Sequence, residues 1–377
     1  MDWESIINLR HELHKIPEKS FCEKNTSKAI KNYIKKNTSW EIEELEHNAF
    51  VVYCKPDNAP ANDAIAFRAD MDAVCAGGHN EPGHYCGHDG HSSILAGLAV
   101  SLYENRNKLD RNVYLIFQPA EETGKGALVC RDIIIDKNIK EIYGLHNIPG
   151  YRMGDVLIRK GTFACASTGI SIKFTGMPSH AAYPDAGLNP CISLAGLLIE
   201  LQNLTKDMQS NGGIVMMTVI GIEAGSDNYG VSASEGTLRL TLRAERGVVF
   251  DELVSQIENK ARMYAANGGF DIEIERIEPF PATENKDKSV EKVIKCAKRL
   301  GLNVQELKEP MRWSEDFGYY LQECDGAFFG IGDGENHAQL HTVQYEFPDE
   351  IIKNAVGLFM GIALAAVPPV NISGIRN

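Results

Sequence analysis

Val113-Tyr114-Leu115-Ile116-Phe117-Gln118-Pro119-Ala120-Glu121-Glu122 joins an unbroken apolar run to a pair of carboxylates across one proline. An apolar run that skips no position reads as a strand buried on both faces, as in a parallel sheet. Working outward, the same design recurs on both sides. Upstream, Ala64-Ile65-Ala66-Phe67 leads into Arg68-Ala69-Asp70-Met71-Asp72, and downstream Glu141 to Leu145 leads into His146. Helical spacing lies between these runs, through Ile94, Leu95, Leu98 and Leu102 from about His91, and again from Ala127 to Ile135. Strands alternating with helices predict an α/β domain whose mostly parallel sheet is flanked by helices. Ahead of it, Ile6 to Lys36 reads as two helices broken at Ile16-Pro17-Glu18, followed by a short strand at Phe50 to Tyr53.

The rhythm changes near Ser167. Ile170 to Phe174 alternates as a half-exposed strand does, then come a helix (Pro190 to Leu204), strands at Val215 to Ile222 and Thr237 to Ala244, a helix (Phe250 to Ala266) and a strand at Asp271 to Ile274. That order, βαββαβ, is a small α+β unit. We expect residues 167–279 to be a lid inserted into a discontinuous catalytic domain, 1–166 and 280–377. A length of 377 residues suits two cores better than one.

Composition limits the function. Hydrophobic residues are 44% and charged residues 24%, ordinary for a globular chain. The net charge of −13 argues against a nucleic-acid partner. No apolar run reaches membrane-span length, and Met1-Asp2-Trp3-Glu4-Ser5 has no secretory-signal pattern. Nine cysteines without paired spacing fit a reducing compartment, so the cytoplasm is the expected location.

Chemistry concentrates at the ends of the predicted strands, where open α/β sheets gather their sites. Cys86-Gly87-His88-Asp89-Gly90-His91 packs a thiol, two imidazoles and a carboxylate into six residues. Soft and borderline donors beside carboxylates suit a zinc-like ion. Asp89 is placed to steady a ligand imidazole from behind, and His91 reads as the start of a helix. Of the Glu121-Glu122 pair, one carboxylate can bind metal while the other serves as a base for water. His79 and His84 are weaker candidates for extra ligands. His11-Glu12-Leu13-His14 has one residue too few between its histidines for a zincin helix, and Gly124-Lys125-Gly126 lacks the spacing of a phosphate loop. By itself His341 reads as an ordinary loop histidine.

Six segments taken together carry a resemblance. Arg68-Ala69-Asp70-Met71-Asp72-Ala73, Cys86 to His91, Gln118 to Glu122, Gly144-Leu145-His146, His180-Ala181-Ala182 and Ser314-Glu315-Asp316-Phe317 resemble the aminoacylase/carboxypeptidase-type metallopeptidases. Within these they look like the amidohydrolase branch of hippurate hydrolases, auxin-conjugate hydrolases and N-acetyldiaminopimelate deacetylases. The resemblance implies two divalent ions per subunit and a lid that often dimerises. It makes Cys86 the bridging ligand, adds His88 and His146 at one ion and Glu122 and His341 at the other, and makes Glu121 the general base. Asp72 then lies behind the ligands, and His180 on the lid donates to the oxyanion. Asn228 and Arg243 are candidate holders of a substrate carboxylate.

The donor set suits zinc, with manganese, cobalt or nickel as alternatives. The expected substrate is a small N-acyl amino acid. A dipeptidase or carboxypeptidase with the same centre, and a silent metal-bound binding protein, are the rival readings. Two departures from the family pattern fall where specificity is set. The segment from Ala73 to Tyr85 is short, and Asn228-Tyr229-Gly230-Val231 replaces an Asn-Val-Ile-Pro pattern.

Overall fold

The computed structural model describes residues 1–57, 64–76, 81–210 and 213–364. The chain divides into two compact units. The first takes Met1–Phe163, Thr283–Glu309 and the chain from Asp316 onward; the second takes Ala164–Ala282 and Pro310–Glu315.

The first unit is built on an eight-stranded sheet. Its order is Glu41–Glu44, Phe50–Cys54, Asn112–Gln118, Ala64–Asp70, Ile139–Pro149, Asp325–Gly334, Val156–Ile158 and Val304–Glu306. The four strands from Asn112–Gln118 to Asp325–Gly334 are mutually parallel. Antiparallel pairs flank them, including Phe50 opposite Phe117, whose rings stack at 4.6 Å. All seven residues of Ala64–Asp70 are buried, as a central strand with both faces covered requires. The helix His88–Glu104 packs on this sheet and against Trp3–His14 and Ile352–Ala363. Its sequence is apolar on nearly every side because nearly every side is covered.

Three local expectations are corrected. The helix expected to open at His91 opens at His88, which puts both histidines on its first turn. The single helix expected from Ala127 to Ile135 is two short ones, Gly126–Cys130 and Asp132–Asp136. The strand Asp325–Gly334 was not anticipated. Its glycines weaken the strand pattern, yet a side chain at Gly326 would meet the Ile142 carbonyl oxygen at 2.2 Å.

The second unit has a four-stranded antiparallel sheet ordered Val215–Ala224, Glu235–Ala244, Ala166–Thr175, Asp271–Phe280. Alternate residues of Glu235–Ala244, among them Leu238, Leu240 and Leu242, are buried against the helices Cys191–Ser210 and Gly247–Gly268. The order of elements is βαββαβ. Among the described residues, no helix is long and apolar enough to cross a membrane.

Candidate metal centre

Gly87 makes the bend that separates two donors. Its φ is +89°, and a Cβ there would lie 2.5 Å from Asn147 Oδ1, so only glycine fits. Cys86 Sγ on one side of this bend lies 3.4 Å from His146 Nε2 and 3.3 Å from His341 Nε2. Donor atoms of Cys86, His88 and His146 lie within 4.8 Å of one another, and so do those of Cys86, Glu122 and His341. The two triads share Cys86. A third group, His88, Glu121 and Glu122, ties the carboxylate pair to the same place. His341 comes from far along the chain and takes a left-handed backbone, φ 61°, pinned by its N–H donating to the Tyr85 carbonyl at 2.8 Å. Such a backbone at a non-glycine residue persists only where its surroundings hold it.

Carboxylates behind the donors set their orientation. Asp72 Oδ1 lies 3.2 Å from His88 Nδ1, while Asp72 Oδ2 accepts from Ser20 Oγ at 2.7 Å and from the Glu122 N–H at 3.1 Å. Asp89 turns the other way. The next residue on a helix lies about 100° around its axis, and Asp89 Oδ2 meets His14 Nδ1 at 2.8 Å, not a ligand-type histidine. His91 is occupied on both nitrogens, by Asp70 Oδ1 and Asn147 Oδ1, each at 2.6 Å. Beneath these, the buried Arg68 fork reaches Asp70 at 2.6 Å, Asp316 at 2.7 Å and Gln118 at 2.8 Å. Strand alternation puts Arg68, Asp70 and Asp72 on one side of one segment, a pattern visible in the sequence. The partner Asp316, 248 residues away, has no local signal of this role.

The electrostatics call for a cation. Burial, then the Glu122, Glu121 and Asp70 carboxylates, push the Cys86 thiol well above its ordinary range. Burial, then His91 and His88, hold His146 well below its usual value, leaving it neutral as a ligand must be. Burial would lower His88 as well, but Asp70, Asp72 and Glu122 raise it to about 10. A thiolate and carboxylates packed together repel one another unless positive charge lies between them, and with no ion bound the protonated His88 supplies it. His88 Nε2 and Glu122 Oε1 are buried and make no hydrogen bond among the described residues. These are the two atoms a metal would use, and a Cys, His and carboxylate set is chemically suited to divalent ions. Glu121 is buried beside them.

Among the described residues, His84, His180, Asn228 and Arg243 are in none of these donor groups. His84 is fully buried, neither ring nitrogen is hydrogen-bonded among the described residues, and burial lowers its pKa. His79 lies outside the described residues. His180, Asn228 and Arg243 belong to the second unit. His180 is exposed, its Nδ1 accepts from the Ala182 N–H at 3.1 Å, and its segment pairs with Val231. Asn228 is exposed and its Oδ1 accepts from the Gly230 N–H. Arg243 Nη1 donates to the Arg312 carbonyl at 2.8 Å and to Ser314 Oγ at 3.0 Å, so this nitrogen holds the Pro310–Glu315 segment of its own unit.

Comparison with known proteins agrees with this picture. Residues 66–365 match peptidase family M20/M25/M40. IAA-amino acid hydrolase ILR1-like 4 of Arabidopsis thaliana is 30% identical over 96% of this chain and 85% of its own length. N-acetyldiaminopimelate deacetylase of Exiguobacterium sibiricum is 28% identical over 94% of this chain and 97% of its own. Among solved structures, a dinuclear metal-binding M20 peptidase of Bacillus subtilis superposes with a TM-score of 0.81, at 23% identity, over 97% of this chain and 98% of its own. The chain belongs to the M20 peptidase family of metal-dependent hydrolases, in its amidohydrolase branch.

Proposed function

We propose that this protein hydrolyses the amide bond of small N-acyl amino acids, releasing a carboxylic acid and a free amino acid. The observation that carries the reading is the pair of donor triads sharing Cys86, with Glu121 buried beside them. The relatives support the substrate class, since they include N-acetyldiaminopimelate and N-acetyl-L-cysteine deacetylases.

Cys86, His88 and His146 would hold one divalent ion, and Cys86, Glu122 and His341 the other. Zinc or manganese suits the donors best, and cobalt or nickel also fits. When bound, the ions supply Lewis-acid polarisation and lower the pKa of water. Glu121 takes a proton from the attacking water and returns it to the leaving nitrogen as the carbon–nitrogen bond breaks. Asp72 keeps His88 in one tautomer. The motif around His180 supports its role as an oxyanion donor, and Asn228 and Arg243 are assigned to the substrate carboxylate on the same basis.

The subunits pair through the second unit. Among the described residues its outer strand Val215–Ala224 has no neighbour along one edge; it exposes Ile220 (61%) and Ile222, and the adjacent helix exposes Ile192 and Ile199. An apolar open edge invites a second copy of itself. None of the nine cysteines is joined in a disulfide, which supports a cytoplasmic location.

The test uses protein stripped by chelator and reloaded with each metal in turn. It is assayed against N-acetyl, N-benzoyl and indole-acyl amino acids beside free dipeptides. Activity on the acyl set alone, lost on stripping and restored by metal, is expected. Cleavage of dipeptides only would make it a peptidase, and full activity without metal would remove the reading. His180→Ala should cut turnover with metal content and melting temperature unchanged.

A further inference from the structure

Glu23 lies between the helices Trp3–His14 and Lys24–Asn37, far in sequence from every donor, and is fully buried. A carboxyl is seldom buried this way without a task. Its Oε1 accepts two backbone N–H groups, from Phe21 at 2.9 Å and from Ala120 at 2.8 Å. Both are non-glycine residues in the left-handed region, φ 66° and 51°. Such conformations need outside support.

Ala120 immediately precedes Glu121 and Glu122. Its carbonyl accepts from the N–H groups of Lys125 and Gly126, so the turn carrying the carboxylate pair closes on this one residue. Glu23 Oε2 makes no hydrogen bond among the described residues. Burial and the nearby Asp72 carboxylate raise the Glu23 pKa to about 7, in keeping with an acceptor whose charge is not needed. The loop before it braces the same region, with Ser20 Oγ donating to Asp72 and the Glu18 carbonyl accepting from the Ala73 N–H at 2.8 Å. The Glu18 side chain in turn holds the N–H groups of Asn25 and Thr26, which fixes the loop to the following helix.

We propose that Glu23 is a positioning residue, whose buried oxygen holds the Ala120 turn and so aims Glu121 at the substrate and Glu122 at the metal. This rests on the amidohydrolase reading for what Glu121 does, but its effect on metal binding is separate from any substrate.

Glu23→Gln keeps an acceptor oxygen and removes the charge facing Asp72. Glu23→Asp keeps the charge and withdraws the oxygen by one methylene. Both are compared with the wild type below the lower of their melting midpoints, by cobalt titration followed in the visible spectrum and by kcat and KM on a cleaved N-acyl substrate. Glu23→Gln should track the wild type. Glu23→Asp should bind cobalt more weakly and lose roughly 10- to 100-fold in kcat with KM little changed, as a small misplacement does. If Glu23→Asp keeps the wild-type cobalt isotherm and kcat, or if Glu23→Gln falls as far as Glu23→Asp, the proposal is overturned. Should the wild type cleave no N-acyl amino acid, the substrate reading fails while the cobalt isotherms still decide the role of Glu23.

Discussion

Asp72 Oδ1 lies 3.2 Å from His88 Nδ1, and His88 Nε2 on the opposite side of the ring is buried without a hydrogen bond among the described residues. The carboxylate holds the proton on Nδ1, so a metal that displaces the Nε2 proton finds the lone pair of that nitrogen facing it. Because Asp72 also takes the Glu122 N–H, one side chain orients a donor from each triad. Asp72→Asn should therefore weaken metal binding by roughly 10- to 100-fold, read by titration with zinc against a competing chelator. Unchanged affinity would mean that packing alone orients the ring.

Glu121→Gln separates base from ligand. Metal content should stay at the wild-type level while turnover falls by roughly 10²- to 10⁴-fold, the usual worth of a positioned proton carrier. Metal analysis of the same samples decides the assignment. Loss of metal from this variant, with Glu122→Gln keeping it, would exchange the two roles.

Cys86→Ser replaces a thiolate by a neutral hydroxyl where two triads meet. Both ions should be held more weakly. The measurement is metal stoichiometry after dialysis against a mild chelator, with loss of bound metal relative to the wild type as the expected result.

His14 links the first helix to the metal-bearing one through Asp89. The hydrogen bond to Asp89 raises its pKa above the ordinary 6.5, with burial partly opposing. A proton is thus bound more tightly in the folded state. The resulting stabilisation is complete below about 6.5 and is lost as pH rises through the folded value. Thermal unfolding should show His14→Gln further below the wild type at pH 5.5 than at pH 9. An equal gap at both values would mean that the bond matters only as a neutral contact.

Ile220→Lys places a charge on the open edge of the second unit, where Ile220 is 61% exposed. If two copies pair there, light scattering after size exclusion should show the wild type as a dimer and the variant shifted toward monomer. A wild type that is monomeric at assay concentration would refute the pairing.

Much of this was legible in the chain, because strands buried on both faces leave an unmistakable apolar run. The strands at Val113 to Phe117 and Ala64 to Phe67 were visible for that reason, and so were the polar groups at their ends. The strand Asp325–Gly334 was not, because its glycines answer to neighbours such as the Ile142 carbonyl, which no local pattern records. Nor does the sequence show that Asp89 faces His14, since one step along a helix turns a side chain toward a different partner.

The sequence by itself determined the chemical types at the centre: a thiol, imidazoles and paired carboxylates placed just after buried strands. Their spacing and types follow from local pattern and carry the metal chemistry with them. Only the tertiary structure decided which atoms hold the others in place. His341 reaches Cys86 across 255 residues, Arg68 reaches Asp316 across 248, and Glu23 reaches Ala120 across 97. A hydrogen bond between distant segments leaves no periodicity in either one. It exists only once packing has brought a buried polar atom to a partner, because leaving that atom unpaired would cost the fold more than the bond returns.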